Sequence, residues 1–321
     1  MGKPLLFLLA ALLPLPLLAA DAPAKTMQIW RNAPQINQAE KAPVIAAVSA
    51  GGRVVAVGDY GIVILTDDGK RFRQAKAVPT RAVLTSVYFL DDKRGWAAGH
   101  DGTVLSSGDG GDSWQLLREE PGKERVLLSI WFENAQHGLA VGQFGLTLET
   151  DDGGKSWTER RLVGGEAGEK HFMQLFAGSG GLLFIAAESG TMLRSEDAGR
   201  NWKAVQTDNK GSFWTGLVLA DGLVLAAGMR GHIYRSEDRG LTWKESPSGT
   251  QQSITAITRR PDGSLRFIGN AGTDLLSRDQ GRSFQAKNRA DRANLTALAT
   301  GRQGDVLFTL SGVADSPASG Q

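Results

Sequence analysis

Three acidic residues, Asp59, Asp101 and Glu188, lie in short segments that end in glycine and are typical of tight turns between strands. A retaining or inverting glycosidase needs two carboxylates at a suitable separation, one as acid and one as base or nucleophile. Carboxylates on neighbouring turns of one scaffold could supply such a pair. Glycoside hydrolysis is therefore one function that the sequence allows.

Other chemistries find less support in the composition. The chain has no cysteine, which excludes disulfides, thiol nucleophiles and Cys-ligated metals. Its four histidines are too scattered for the local spacing of a zinc site; they are His100, His137, His171 and His232. The formal net charge is only +2, so a strongly electrostatic nucleic-acid binder is also excluded. We predict no metal, no cofactor and no nucleic-acid partner.

One short motif, the Asp motif, occurs six times, with its shared aspartates 42, 43, 45, 41 and 41 residues apart. These are Asp67, Asp109, Asp152, Asp197, Asp238 and Asp279, and four copies end in Trp114, Trp157, Trp202 or Trp243. Such a period indicates a solenoid, a propeller or an array. We expect each aspartate to accept backbone N–H groups two residues on, and each aromatic ring to pack against the next blade. Both sets are predicted to be structural.

The second repeat shows the local pattern most clearly. Its β-rich runs are Leu84–Phe89, Trp96–Ala98, Thr103–Ser106 and Trp114–Leu117, with turn residues between them. Four short strands in succession predict one antiparallel sheet, as in a propeller blade. After residue 41 the apolar residues show no helical period of useful length, which argues against a helical solenoid.

Seven first strands are predicted, one more than the complete Asp motifs. They begin near Val44, Leu84, Leu127, Phe172, Phe213, Ile254 and Leu295. The seventh repeat lacks an outer strand, whereas Met27–Trp30 forms a strand without a blade. We therefore expect an all-β, seven-bladed propeller of four-stranded antiparallel blades, closed by the N-terminal strand, which would remove an exposed edge. A six-bladed ring with loose ends is the alternative.

The N-terminus has the features of a secretory signal. Residues 1–20 contain Lys3, an apolar run from Leu5 to Ala19 and small residues before Asp21. The run is short for a membrane-spanning helix, although a retained anchor is the alternative. Residues 21–41 are then a lead-in with the closing strand, 42–312 the propeller and 313–321 a disordered tail. We expect an exported protein, in the periplasm or, in a photosynthetic host, its thylakoid lumen equivalent.

The turns between second and third strands gather on one face of a propeller, together with the connections between blades. We call this surface the loop face; its turns are Gly58–Gly61, Gly99–Gly102, Gly142–Gly145, Ala187–Gly190, Gly228–Gly231 and Gly269–Gly272. Their middle residues differ in every blade, so they are free to carry recognition. Predicted partner-binding residues are Tyr60, His100, Phe144, Arg81, Arg118, Arg125, Arg160, Arg161 and Arg230. Solvated loops without a partner are the alternative.

The Asp motif resembles the repeat of bacterial sialidases. Those enzymes carry an Arg-Ile-Pro motif and a tyrosine nucleophile. Here the first is missing, and of Tyr60, Tyr88 and Tyr234 only Tyr60 falls on the loop face. We therefore predict no catalytic residues and no enzyme. A secreted sialidase-like glycosidase and a carbohydrate-binding propeller are the alternatives.

Residues 84–99 and 128–142, each followed by Asp-Gly-Gly-x-Ser-Trp, carry a closer resemblance. Over roughly residues 42–312 the chain resembles the photosystem II assembly and stability factor family and its bacterial relatives. The resemblance implies an exported, non-catalytic propeller that holds newly made membrane-protein segments during assembly, partly through surface arginines. We accordingly expect a monomer whose partner is an integral membrane protein or complex, with peripheral membrane association; in a non-photosynthetic host the client would be another membrane complex.

Overall fold

The computed structural model describes residues 31–314, and these form seven antiparallel sheets, six with four strands and the last with three. Blade 1 contains β1 (Val44–Ala50), β2 (Arg53–Gly58), β3 (Val63–Thr66) and β4 (Arg73–Gln74). Blade 2 contains β5 (Leu84–Phe89), β6 (Gly95–Gly99), β7 (Val104–Ser107) and β8 (Gln115–Arg118). Blade 3 contains β9 (Leu127–Phe132), β10 (Gly138–Gly142), β11 (Thr147–Thr150) and β12 (Thr158–Glu159).

The later blades repeat this order. Blade 4 contains β13 (Phe172–Ala177), β14 (Leu183–Ala187), β15 (Thr191–Ser195) and β16 (Lys203–Gln206). Blade 5 contains β17 (Phe213–Val218), β18 (Val224–Gly228), β19 (Ile233–Ser236) and β20 (Lys244–Ser246). Blade 6 contains β21 (Ile254–Arg259), β22 (Leu265–Gly269), β23 (Asp274–Ser277) and β24 (Gln285–Ala286), and blade 7 contains β25 (Ala297–Gly301), β26 (Gly304–Thr309) and β27 (Gly312–Val313).

The predicted seven-bladed, all-β fold is confirmed. Six of the seven first strands begin at the predicted residue, and the seventh begins at Ala297 instead of Leu295. The backbone N–H of Leu295 donates to Gly269 O of blade 6 at 3.1 Å, so this residue still belongs to the connection. Within residues 32–314, helical structure is limited to short 3-10 segments such as Ala39–Lys41 and Glu166–Glu169. Within residues 31–314, no helix has the length and hydropathy needed to cross a membrane.

Blades 7 and 1 meet directly. Thr296 Oγ1 donates to Val44 O at 2.7 Å, and Phe308 of blade 7 shares a buried cluster with Val54 of blade 1. Ala39 of the lead-in and Ala42, just after it, belong to the same cluster. The predicted closing strand, Met27–Trp30, lies outside the described residues, as does the tail after residue 314; β27 itself extends to Val313, one residue past the predicted end of the propeller.

The aromatic residue of each Asp motif packs against the preceding blade, not the next one as predicted. Trp114 of blade 2 is buried with Val55 and Leu65 of blade 1. Trp243 of blade 5 meets Phe184 of blade 4 edge-on, with 6.2 Å between ring centroids. Each aromatic side chain therefore contributes its large apolar surface to a seam between two blades, where it stabilises the ring.

The hydrogen bonds of the Asp motif close a turn and engage its aspartate carboxylate, which is therefore poorly placed to act as a catalytic acid or a metal ligand. Asp152 accepts the backbone N–H of Ser156 at 2.9 Å and its hydroxyl at 2.6 Å. Thr150 Oγ1 donates to Asp152 and accepts the N–H of Gly154, each at 2.9 Å. Trp157 Nε1 donates to Gly154 O at 2.9 Å. In this copy the bonded N–H lies four residues after the aspartate, not two as predicted.

In blade 1 the carboxylate that closes the turn belongs to Asp68, not to Asp67 as predicted. Asp68 Oδ1 accepts the N–H groups of Lys70 and Arg71 at 2.9 and 2.8 Å, and the Thr66 hydroxyl donates to it at 3.3 Å. Asp67 instead forms an ion pair with Arg53 at 2.7 Å. The motif aspartate therefore follows its Ser or Thr by two residues in every copy, blade 1 included.

These hydrogen bonds predict how stability depends on pH. The Ser156 hydroxyl, followed by its N–H, lowers the pKa of Asp152 from 3.8 to about 2, and Ser283 lowers the pKa of Asp279 in the same way. A lowered folded-state pKa stabilises the protein above the unfolded pKa, and that stabilisation disappears as the pH falls from about 4 to about 2. The D152N/D279N variant should melt below wild type at pH 7, with a gap that closes near pH 2.

Circular dichroism melting curves between pH 2 and pH 7 measure that gap. Asp151→Asn is the matched control, because Asp151 is the exposed neighbour of Asp152 and lies outside the turn's hydrogen-bond set. A gap of constant size over the whole pH range would contradict the role assigned to these carboxylates.

Candidate functional site

Five of the six loop-face turns are 3-10 turns of one design, and those of blades 2, 3, 5 and 6 are hydrogen-bonded to the blade connection beside them. They are Asp59–Gly61, His100–Gly102, Gln143–Gly145, Met229–Gly231 and Asn270–Gly272. In blade 2, His100 N donates to Val83 O at 2.9 Å and Gly102 N donates to Arg125 O at 2.7 Å. The turn between second and third strands and the connection between blades therefore form one continuous surface.

The variable middle residue of each turn has a positive φ, and so does the glycine that follows it. The residues are Tyr60, Asp101, Phe144, Ser189, Arg230 and Ala271, with φ between 50° and 57°. A side-chain-bearing residue costs about 1–2 kcal/mol in this region. The first glycine has another purpose: a Cβ on Gly142, whose φ is −164°, would lie 1.9 Å from Val126 O. The glycine provides space, and the variable residue takes the strained conformation.

Two of these positions expose large apolar side chains. Tyr60 is 62% exposed and Phe144 is 75% exposed. The Phe144 ring lies edge-on to His171 with 4.4 Å between ring centroids, and its backbone N–H donates to His171 Nδ1 at 3.0 Å. His171 N in turn donates to Glu188 Oε2 at 2.9 Å. His171 was not predicted as a site residue, since a lone histidine in a long connection carries no spacing signal.

Three of the predicted arginines hold the protein's own structure together. Arg118 Nη1 donates to Gly102 O at 2.7 Å and Nη2 to Glu120 Oε2 at 2.6 Å. Arg125 pairs with Glu159 at 2.5 Å. These side chains are half-buried supports of the loops. Their guanidinium groups are already engaged and are poorly placed for a partner.

Arg160, the third of these arginines, departs from its predicted place. Its guanidinium pairs with Glu149 at 2.7 Å and donates to Arg200 O at 2.7 Å. Arg200 belongs to the Asp-motif turn of blade 4, so the Arg160 side chain runs between blades 3 and 4 towards the opposite face. The backbone of Arg160 lies at the start of the connection on the loop face, whereas its guanidinium group is bonded between blades 3 and 4.

Arg81, Arg161 and Arg230 are exposed on the loop face. Arg81 Nε donates to Asn32 O at 3.0 Å. Arg161 pairs with Glu169 at 3.2 Å and donates to Val163 O and Gly165 O at 3.1 and 3.3 Å. Within residues 31–314, the guanidinium of Arg230 has no hydrogen-bond or ion-pair partner. His100, also exposed, lies on the same surface.

The three candidate carboxylates lie in three different blades. Asp59, Asp101 and Glu188 lie in the turns of blades 1, 2 and 4, and Glu188 already accepts the His171 N–H. Among residues 31–314, no group of three or more His, Asp or Glu side chains could hold a metal ion. A cavity of about 420 Å³ does open on the loop face of blade 3, between Phe144, Arg125 and Arg161.

Comparison with known proteins bears on this site. The family model of photosynthesis system II assembly factor YCF48 matches residues 119–314. The chain is similar in structure to YCF48 bound to a D1 peptide, with 18% identity, 87% of this chain and 94% of the other covered, and a TM-score of 0.69. YCF48 from Cyanidioschyzon merolae gives 14% identity, coverage of 88% and 97%, and a TM-score of 0.67.

A streptogramin B lyase also matches, with 13% identity, coverage of 87% and 94%, and a TM-score of 0.72. At such identities the structural matches show a shared propeller fold and nothing more, and an enzyme among them shows that the fold does not decide the function. No curated protein sequence matches the chain. The family model, however, covers more than half of it, and the chain therefore belongs to the family of the photosynthesis system II assembly factor YCF48.

Proposed function

We propose that this protein is an exported, non-catalytic propeller that binds a segment of a membrane protein on its loop face and assists assembly of the complex containing it. Membership of the assembly-factor family is the observation that carries this proposal. The features of residues 1–20 support export to the periplasm or an equivalent compartment. The client is identified by chemistry alone: an exposed segment of an integral membrane protein.

A peptide segment suits the loop face as a ligand. One structural relative is YCF48 bound to a D1 peptide, which supports a peptide as the client here too. Tyr60 and Phe144 offer exposed rings, and Arg81, Arg161 and Arg230 offer exposed guanidinium groups. Aromatic residues and arginine are enriched where proteins meet, because they combine apolar area with directed hydrogen bonds.

Co-purification of the mature protein from detergent-solubilised envelope tests the proposal. We expect an integral membrane protein complex in the eluate, identified by mass spectrometry. Recovery of no membrane protein, together with strong binding on a glycan array, would replace the proposal by a carbohydrate-binding propeller.

The protein is proposed to lack catalytic activity. Asp59, Asp101 and Glu188 occupy three different blades, and the Glu188 carboxylate caps a backbone N–H. We expect no turnover of 4-nitrophenyl glycosides or sialosides by wild type, measured by release of nitrophenol. Turnover that disappears in D59A, D101A or E188A would show instead that the protein is a glycosidase.

A further inference from the structure

We propose that Phe144 and the cavity beside it, together called the Phe144 pocket, bind a peptide segment in which a large apolar side chain lies next to an acidic one. This inference rests on the proposed function and specifies which part of the loop face a client contacts. Three independent features of blade 3 carry it: a strained, clamped aromatic residue, a cavity of suitable size and an arginine with an exchangeable partner.

The backbone of the turn holds Phe144 in an unfavourable conformation. Its φ is 53°, a region in which a bulky residue is an outlier that persists only where its surroundings impose it. Its N–H donates to His171 Nδ1 at 3.0 Å, and the next N–H, of Gly145, donates to Lys170 O at 2.8 Å. Both bonds reach the connection that leads to blade 4. The fold thus stabilises a strained residue whose ring is 75% exposed.

His171 is a positioning residue in this arrangement. Its Nδ1 accepts the Phe144 N–H, so that nitrogen carries no proton here. The backbone N–H of His171 donates to Glu188 Oε2 at 2.9 Å. Glu188 lies in the turn between the second and third strands of blade 4, so this bond joins His171 to that blade. The ring of His171 also meets the Phe144 ring edge-on at 4.4 Å. One face of the phenyl ring is therefore fixed by the protein, while the rest faces solvent and the cavity.

The cavity has the size and lining of a small peptide-binding site. Its volume of about 420 Å³ lies within the roughly 300–1,000 Å³ of ligand sites. Leu146 and Phe144 give it apolar surface, and its charged lining consists of three arginines and three glutamates: Arg125, Arg160, Arg161, Glu124, Glu159 and Glu169. A pre-positioned aromatic ring beside such a cavity loses little side-chain entropy on binding, which favours affinity.

The two arginines differ in how firmly they are paired. Arg125 and Glu159 are 2.5 Å apart and the Arg125 side chain is mostly buried, so this pair forms a fixed part of the cavity wall. The Arg161 and Glu169 side chains are 58% and 72% exposed and 3.2 Å apart, and Arg161 also donates to Val163 O and Gly165 O at 3.1 and 3.3 Å. An exposed pair of this kind contributes little, about 0–1 kcal/mol. A carboxylate of the client can therefore replace Glu169 at little cost, and this selects an acidic residue beside the apolar one.

Selection of a phage-displayed library of random 12-residue peptides on the full mature protein tests the pocket. We expect the selected peptides to carry Phe, Trp, Leu, Ile or Met within two residues of Asp or Glu. Their dissociation constants, measured by fluorescence anisotropy, should rise at least tenfold in F144A and about threefold in R161Q. L241A is the matched control, because Leu241 is also a largely exposed apolar residue but lies in an Asp-motif turn of the opposite face.

The positioning role of His171 can be tested separately. H171A should weaken the selected peptides, whereas H171N should restore most of the binding, since the Asn side-chain oxygen can accept the Phe144 N–H in place of Nδ1. A general loss of stability would not distinguish these two variants. Peptides that bind F144A as tightly as wild type, or a library from which no peptide is enriched, would overturn the inference.

The pocket and the proposed function fail in different ways. If F144A captures the membrane complex from solubilised envelope as well as wild type does, the pocket is wrong and the proposed function stands. If wild type captures no membrane protein while its selected peptides depend on Phe144, the pocket stands and the assembly function is wrong.

Discussion

A Gly142→Ala variant should melt about 2–12 °C below wild type, which is a large effect for one methyl group. The added Cβ would lie 1.9 Å from Val126 O and 2.9 Å from Leu127 Cα. Both atoms are backbone, so relief requires β9 and β10 to separate where they pair. Overpacking costs about 1–3 kcal/mol and sometimes more, and each kcal/mol shifts the melting temperature of a large domain by roughly 2–4 °C.

Gly164→Ala is the control within the same region of the chain. No atom lies within 4 Å of a Cβ at Gly164, and its backbone conformation is open to any residue. This variant should melt like wild type in the same differential scanning calorimetry experiment. Equal melting temperatures for the two variants would mean that the first glycine of the loop-face turns is not required for space.

Replacing Arg81, Arg161 and Arg230 together by Gln should weaken client capture by about tenfold or more. Each exposed charge contributes up to about 1 kcal/mol, and tenfold corresponds to about 1.4 kcal/mol. Charges at the rim of an interface act mainly on the rate of association, so the loss should appear there, and the remaining binding should depend less on salt. Surface plasmon resonance against the purified client at two ionic strengths measures both effects.

The matched control replaces Arg200, Arg239 and Arg282, which lie in Asp-motif turns on the opposite face and carry the same total charge. Client capture should be unchanged in this variant. If the control triple loses the client and the first triple keeps it, binding takes place on the opposite face. Arg160 is left out of the test because its guanidinium is bonded to Glu149 and Arg200 O, and its loss would disturb the seam between blades 3 and 4.

The arrangement of strands could be predicted because glycines and motif aspartates specify the turns locally. Strand starts such as Val44 and Phe213 followed directly from the β-rich runs between those turns. The first Asp motif was misaligned because its copy is one residue shorter: Thr66 precedes Phe72 by six positions, whereas Ser107 precedes Trp114 by seven. Hydrogen bonding is counted from the hydroxyl residue, so the aspartate two positions later, Asp68, has the structural role.

The sequence predicted on which face of the propeller the candidate site lies, but not the contacts that its side chains make. Alternating strands and turns place Phe144 and Arg161 on the loop face, as expected from the blade pattern. The direction of a long side chain is set by tertiary contacts, and therefore the role of Arg160 between blades could not be inferred. The hydrogen bond that holds Phe144 could not be inferred either, because His171 lies 27 positions further along the chain.

Site-specific photocrosslinking in living cells tests most directly whether the loop face holds a membrane-protein segment. Benzoylphenylalanine would replace Tyr60 or Ala271 on the loop face and Leu241 or Arg282 on the opposite face, in the full chain. We expect adducts with one integral membrane protein from the first two positions and none from the other two. Adducts with a membrane protein from Leu241 and Arg282 alone, or no membrane-protein adduct from any position, would contradict binding on the loop face.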